Sequence, residues 1–240
     1  MWTRRGSGCV SEPDVWAGPG PAGSGGPRLP AGIEPIARSP ITPPPPVLVI
    51  DGWEVSGRRA AAGLTLTDVT PLAKVQVRAP AGGQAAAELA VPFGRAARRA
   101  DRTVVAGSGP GEWLLLAAPG QGPALAGWAV ELAARSPGEL VTATDVTHGR
   151  ALIRLTGPRG ADLLRKVCGI DFSDRITPDG AAFRSSVAAV ATDVIRLDTD
   201  GVCCYLLHCE RSSGGYLFGE LLAAGHEFAI EIDGFTFPGI

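Results

Sequence analysis

Val75-Gln76-Val77-Arg78-Ala79-Pro80-Ala81-Gly82 and Ile153-Arg154-Leu155-Thr156-Gly157-Pro158-Arg159-Gly160 decide the fold. Each alternates apolar and polar residues and then turns through Pro and Gly, the pattern of a strand with one buried face. They stand 78 residues apart, and further pairs follow in step. Trp113-Leu114-Leu115-Leu116 faces Tyr205-Leu206-Leu207-His208, and Leu132-Ala133-Ala134 faces Leu222-Ala223-Ala224. The offset has by then grown to 90. The stretch Phe183–Leu197 absorbs the growth, being long enough for a bent strand or a hairpin.

Working outward, period-2 runs read as strands and 3.6-period runs as helices. The first half is expected to run strand Lys74–Ala79, helix Gln84–Ala90, strands Thr103–Gly107 and Glu112–Ala117, helix Ala124–Arg135 and strand Leu140–Val146. In that second helix Leu125, Trp128, Ala129 and Leu132 share one face. The second half repeats the order with strand Ala151–Thr156, helix Ala161–Cys168, strands through Phe183–Leu197, strand Val202–Cys209, helix Tyr216–Ala224 and strand Phe228–Ile232. The fold class expected is α+β: two β-α-β-β-α-β units of split βαβ, ferredoxin-like type in one body. The halves span about residues 63–147 and 148–234 of a domain covering 47–240.

Residues 1–46 hold 11 prolines and 8 glycines, end in Pro43-Pro44-Pro45-Pro46, and show no apolar period. Such a composition buries no core, so this head is expected to be disordered and dispensable for folding. Met1 is the only methionine, and a start placed too far upstream would produce the same tail. Gly18-Pro19-Gly20-Pro21-Ala22-Gly23 spells GxGxxG, but no strand precedes it and no helix follows, so it is not a dinucleotide fingerprint.

Twenty-two basic and 24 acidic residues leave a net charge of −2, which creates no global field for nucleic acid or anionic membrane. All but Lys74 and Lys166 of the basic residues are arginine, a bias that alanine, glycine and proline share and that carries no functional meaning by itself. The start lacks the apolar core of an export signal, no stretch reaches the length of a membrane span, and the five cysteines are odd in number. A cytoplasmic chain with reduced thiols is the expectation.

Cys203-Cys204-Tyr205-Leu206-Leu207-His208-Cys209 gathers three thiols and an imidazole. Strand alternation splits them, with Cys203, Tyr205, Leu207 and Cys209 on one face and Cys204, Leu206 and His208 on the other, so they do not converge on a metal. Asp145 and His148 are candidates for an acid–base pair, but Ser108, flanked by Gly107 and Gly109, is no nucleophile elbow. Gly157-Pro158-Arg159-Gly160 reads as a structural turn rather than a phosphate cradle, because Pro158 removes a backbone donor. Glu54, Glu88, Asp101, Glu112, Glu131, Asp162 and Asp171 are scattered. No catalytic, cofactor-binding or metal-ligating residue is assigned.

Several ordered landmarks carry a resemblance. Gly109-Pro110-Gly111-Glu112-Trp113-Leu114-Leu115-Leu116, Thr144-Asp145-Val146-Thr147, Ala151 to Pro158, the helix Ala161–Asp171, and Phe183-Arg184-Ser185-Ser186 with Val187–Ile195 resemble the γ subunit family of heterotetrameric sarcosine oxidase. That family is related to the glycine cleavage T-protein and the folate-binding aminomethyltransferases. The resemblance covers Leu64 to Ala224 and departs at Glu210–Tyr216, where glycines are inserted. It implies a T-protein-like body and a place beside α, β and δ subunits in a complex that oxidatively demethylates sarcosine. Glycine and hydrogen peroxide are formed, and the one-carbon unit passes to tetrahydrofolate. FAD, FMN, NAD and tetrahydrofolate are then implied for the partner subunits and none for this chain, which is a docking subunit of an oxidoreductase. The alternative is a stand-alone folate-binding or aminomethyltransferase-like protein.

Overall fold

The computed structural model describes residues 35–239. The expectations for residues 1–34, the GxGxxG stretch among them, lie outside it. The chain opens with strands β1 (Ala37–Arg38), β2 (Val47–Ile50), β3 (Trp53–Ser56) and β4 (Thr65–Asp68). There follow β5 (Ala73–Arg78), α1 (Gln84–Leu89), β6 (Ala96–Arg98), β7 (Val104–Gly109), β8 (Glu112–Ala117), α2 (Gly122–Arg135) and β9 (Thr142–Asp145). The remainder is β10 (Arg150–Thr156), α3 (Gly160–Val167), β11 (Ala182–Val187), β12 (Val190–Arg196), β13 (Cys204–Glu210), α4 (Gly214–Gly225) and β14 (Glu231–Asp233).

A five-stranded sheet has the order β6-β7-β8-β5-β9, and a six-stranded sheet has β11-β12-β13-β10-β4-β14. Their shared kernel is plain: β7-β8-β5-β9 in one corresponds to β12-β13-β10 and then β14 in the other. In the first sheet β9 lies directly antiparallel to β5. In the second, β4 is inserted between β10 and β14, antiparallel to the former and parallel to the latter. Strand alternation predicts no such insertion, because β4 precedes Lys74–Ala79, the first strand expected from the sequence. Each sheet also gains an extra edge strand, β6 or β11. Backbone bonds join these edges, Ala96 N to Gly180 O at 2.7 Å and Ala182 N to Gly94 O at 3.0 Å.

Three apolar layers hold the body together. On α1 and α2, Ala85, Leu89, Leu125, Ala129 and Leu132 pack against Val75, Val77, Trp113 and Leu115 of the first sheet. On α3 and α4, Leu163, Leu164, Leu217, Phe218 and Leu221 cover Ile153, Leu155, Tyr205 and Leu207 of the second. The opposite faces of the sheets meet through Leu114, Leu116, Leu152, Ile195 and Leu206. The order of layers is helix, sheet, sheet, helix, and strand alternation puts each buried residue on one side or the other.

Residues 35–46 correct the expectation of a disordered head running to 46. Ile41 is 4 % exposed and belongs to the layer under α4. Pro40 lies so close to the start of α4 that a Cβ on Gly214 would meet its Cγ at 2.8 Å. Proline-rich sequence needs no regular hydrogen bonds to pack, and composition alone does not reveal a surface waiting for it. Beyond it, β1, β3 and β2 form a small sheet in that order, with Trp53 and Val55 buried.

Candidate functional site

The thiols fall where strand alternation puts them. Tyr205, Leu207 and Cys209 pack toward α3 and α4, with Cys203 at the margin, whereas Leu206 faces the other sheet. Burial pushes the Cys209 thiol up to about 11 and also raises that of Cys204, which keeps both protonated and apolar. The Asp145–His148 pair is not brought together. The Asp145 carboxylate accepts from the Thr147 amide at 2.8 Å, while the His148 ring stacks on Trp53 at 4.9 Å. Ser108 is buried, 3.4 Å from Glu112 Oε1.

Gly157 serves the backbone. Its φ of +135° is a conformation L side chains rarely adopt, and a Cβ there would strike the Gly63 carbonyl. Its amide donates to Cys203 O at 2.9 Å, and Gly160 closes the turn onto Gly157 O at 3.0 Å. Arg159 pairs with Asp162 at 2.7 Å and lies over Phe228.

Two arrangements come only with the tertiary structure. The first is a chain of charges through the layer between the sheets. Glu112 on β8 accepts from Arg184 on β11 at 2.7 Å, Arg184 Nε donates to Asp193 on β12 at 2.7 Å, and Asp193 lies 2.9 Å from His208 Nδ1 on β13. Burial raises both carboxylates, but the hydrogen bonds from Arg184 and its neighbours outweigh it and hold Glu112 and Asp193 below the usual range. Burial also lowers His208 despite Asp193, so a neutral ring donates through Nδ1 and leaves its buried Nε2 without a partner among the described residues. The Glu112–Arg184 bond crosses between the two sheets, and the other two links run along the six-stranded one.

The second is a pair of adjoining recesses at the tip of the β6–β7 hairpin. The hairpin loop runs from Arg99 to Thr103, closed by Arg99 N to Thr103 O at 2.8 Å and Arg102 N to Arg99 O at 2.9 Å. Arg102 takes a left-handed φ of +70°. One recess, about 330 Å³, lies between this loop and the start of α2, lined by Arg99, Arg102, Gln121, Leu125, Trp128 and Pro238. The other, about 420 Å³, is lined by Arg98, Arg102, Arg154, Cys204, Leu206 and Phe237. Arg102 and Pro238 belong to both. Sequence reading passed over this site, although the run Arg95-Ala96-Ala97-Arg98-Arg99-Ala100-Asp101-Arg102 is a local concentration of positive charge.

Among the described residues no group of three or more His, Cys, Asp or Glu side chains is placed to hold a metal ion, and no helix is long and apolar enough to cross a membrane. Comparison with known proteins points in one direction. A sarcosine oxidase subunit gamma from Arthrobacter sp is 30 % identical over 138 residues, which are 54 % of this chain and 66 % of that protein. A chain of heterotetrameric sarcosine oxidase from Corynebacterium sp. U-96, solved in complex with pyrrole 2-carboxylate, superposes with a TM-score of 0.60. It is 26 % identical, and the match covers 71 % of this chain and 88 % of that one. The glycine cleavage system aminomethyltransferase T from Bartonella henselae has the same fold at a TM-score of 0.57, with 16 % identity over 78 % of this chain and 55 % of its own. Residues 95–236 match the family model described as the GCVT N-terminal domain, and the chain belongs to that family.

Proposed function

We propose that the chain is the γ subunit of a sarcosine oxidase-type complex and works by docking onto α, β and δ subunits rather than by chemistry of its own. The observation that carries this reading is the match to one chain of a heterotetrameric sarcosine oxidase over 88 % of that chain's length. The body is read as two split βαβ units, the second opened by β4. Partner subunits then hold FAD, FMN, NAD and tetrahydrofolate, and the complex demethylates sarcosine to glycine with hydrogen peroxide as co-product and transfer of the one-carbon unit to tetrahydrofolate. The proposed setting is the cytoplasm.

The surface supports a docking role. Strand β2 is an edge of the small sheet, and its Val47, Leu48 and Val49 are all exposed. Three consecutive apolar residues on a free edge are what a partner strand or side-chain groove would cover. Glu112, Arg184, Asp193 and His208, by contrast, are engaged with one another.

Co-expression of the tagged full chain with the α, β and δ reading frames tests the proposal. The expected result is a co-purifying, flavin-coloured complex that releases peroxide from sarcosine, with Leu48→Asp weakening the association. A lone chain that ignores those subunits and binds tetrahydrofolate by itself would overturn the reading in favour of a stand-alone folate protein.

A further inference from the structure

Among the described residues, the arginines of the two adjoining recesses have no carboxylate to answer them. Arg98, Arg102 and Arg154 line one recess, and Arg99 and Arg102 the other. Among the described residues none of these four has a carboxylate oxygen within ion-pair distance, whereas Arg184 and Arg196 each hold two. The one carboxylate in the lining, Asp101, is turned back into its loop to accept from the Thr103 amide at 2.9 Å. Arg154 donates to the Gly239 carbonyl at 3.1 Å, which fixes the side chain without neutralising it. Arg98, Arg102 and Arg154 line this recess together with the buried Cys204.

The second half of the site is apolar. Ala117, Ala118, Ala124, Leu125, Trp128 and Pro238 wall the first recess, and Arg99 Cζ lies over the Trp128 ring, 4.8 Å from its centroid. Its volume of about 330 Å³ matches a small organic ligand. A stacked guanidinium offers its outer face to a further planar ring. The loop that carries the charges holds Arg102 at a left-handed φ of +70°.

We propose that the two adjoining recesses together bind a phosphorylated aromatic molecule of nucleoside diphosphate size. The planar ring lies against Arg99, Leu125 and Pro238, and the phosphates reach Arg98, Arg102 and Arg154. Three guanidinia on one side match a diphosphate better than a single carboxylate, because each fork takes two oxygens and the charges balance. The apolar wall requires an organic body rather than a free inorganic anion. This site is independent of the docking role, since it needs no partner subunit.

Isothermal titration of the full chain with adenosine 5′-diphosphate, inorganic pyrophosphate and adenosine tests it. The expected order of affinity is diphosphate nucleoside first, with pyrophosphate and adenosine each at least about tenfold weaker, and binding that falls between 50 and 300 mM salt because the contacts are ionic. Arg102→Gly should lower affinity for the nucleotide about tenfold or more while leaving the melting temperature unchanged or raised, since glycine accepts the φ of +70°. Arg98→Ala should act in the same direction, and Arg175→Ala, outside both recesses, should not. Absence of heat with the nucleotide, or equal binding by wild type and Arg102→Gly, would overturn the site. Pyrophosphate binding as tightly as the nucleotide would overturn the aromatic half of the proposal.

Discussion

Lys74 offers a test of how the two sheets are packed. It lies on the face of β5 that looks away from the helices, is fully buried, and donates through Nζ to the carbonyls of Thr70 and Leu72 at 2.7 Å each. Burial pushes its amine down from 10.5 to about 7, against the pull of the Asp68 and Asp145 carboxylates and with a small push from Arg211. Below pH 7 native and unfolded chains both hold the proton, and the native state carries the whole cost of enclosing it. Above pH 7 the native amine releases its proton while the unfolded chain keeps it until about 10.5, so stability climbs through that window. The displacement corresponds to roughly 5 kcal/mol in total, of which about 2 kcal/mol falls between pH 7 and 9. Lys74→Met keeps the side-chain volume and removes the titration. Urea unfolding of both proteins at pH 7, 8 and 9 should show wild type gaining about 2 kcal/mol on the variant over that range. The difference isolates the Lys74 amine together with its coupling to Asp68 and His208. Parallel stability curves would refute the burial of an amine between the sheets.

Trp113 is 4 % exposed and its indole N–H donates to Val91 O at 2.7 Å. Trp113→Ala should cost about 3–5 kcal/mol of unfolding free energy, and Trp113→Phe about 1–3 kcal/mol for the orphaned carbonyl. An unchanged urea midpoint for both would place the indole at an interface instead. Ile41→Ala should cost about 2–4 kcal/mol in the same assay, which would make removal of residues 1–46 damaging rather than silent. A cooperative, unshifted melt after that deletion would refute the packing of residues 35–46.

The local patterns told most of the secondary structure. Glu112–Ala117 is a strand from end to end, and α2 buries Leu125, Ala129 and Leu132 as its 3.6-residue period requires. The Val75 and Ile153 stretches become β5 and β10, paired antiparallel with β8 and β13 respectively. These features are carried by side chains within one element, so periodicity reports them directly. The short strands β1 to β4 and β6 escaped notice because two to four residues are too few for a period to show. The insertion of β4 between β10 and β14 is a pairing across the chain, and no local signal encodes which edge a strand will choose.

The same division runs through the sites. Strand alternation alone separated Cys204 and His208 from Cys209, because the backbone fixes which face each residue takes. Whether Asp145 meets His148, or Glu112 meets Asp193 through Arg184, depends on how two sheets stack, and only the folded chain answers it. Arginine was abundant enough in the sequence to mean nothing on its own. Arg98 and Arg102 acquire meaning when they line one recess with Arg154, more than fifty residues away on another sheet, with no carboxylate among the described residues close enough to neutralise them. Charge along a chain is additive and legible, whereas charge in a cavity depends on distance and burial, which tertiary structure alone decides.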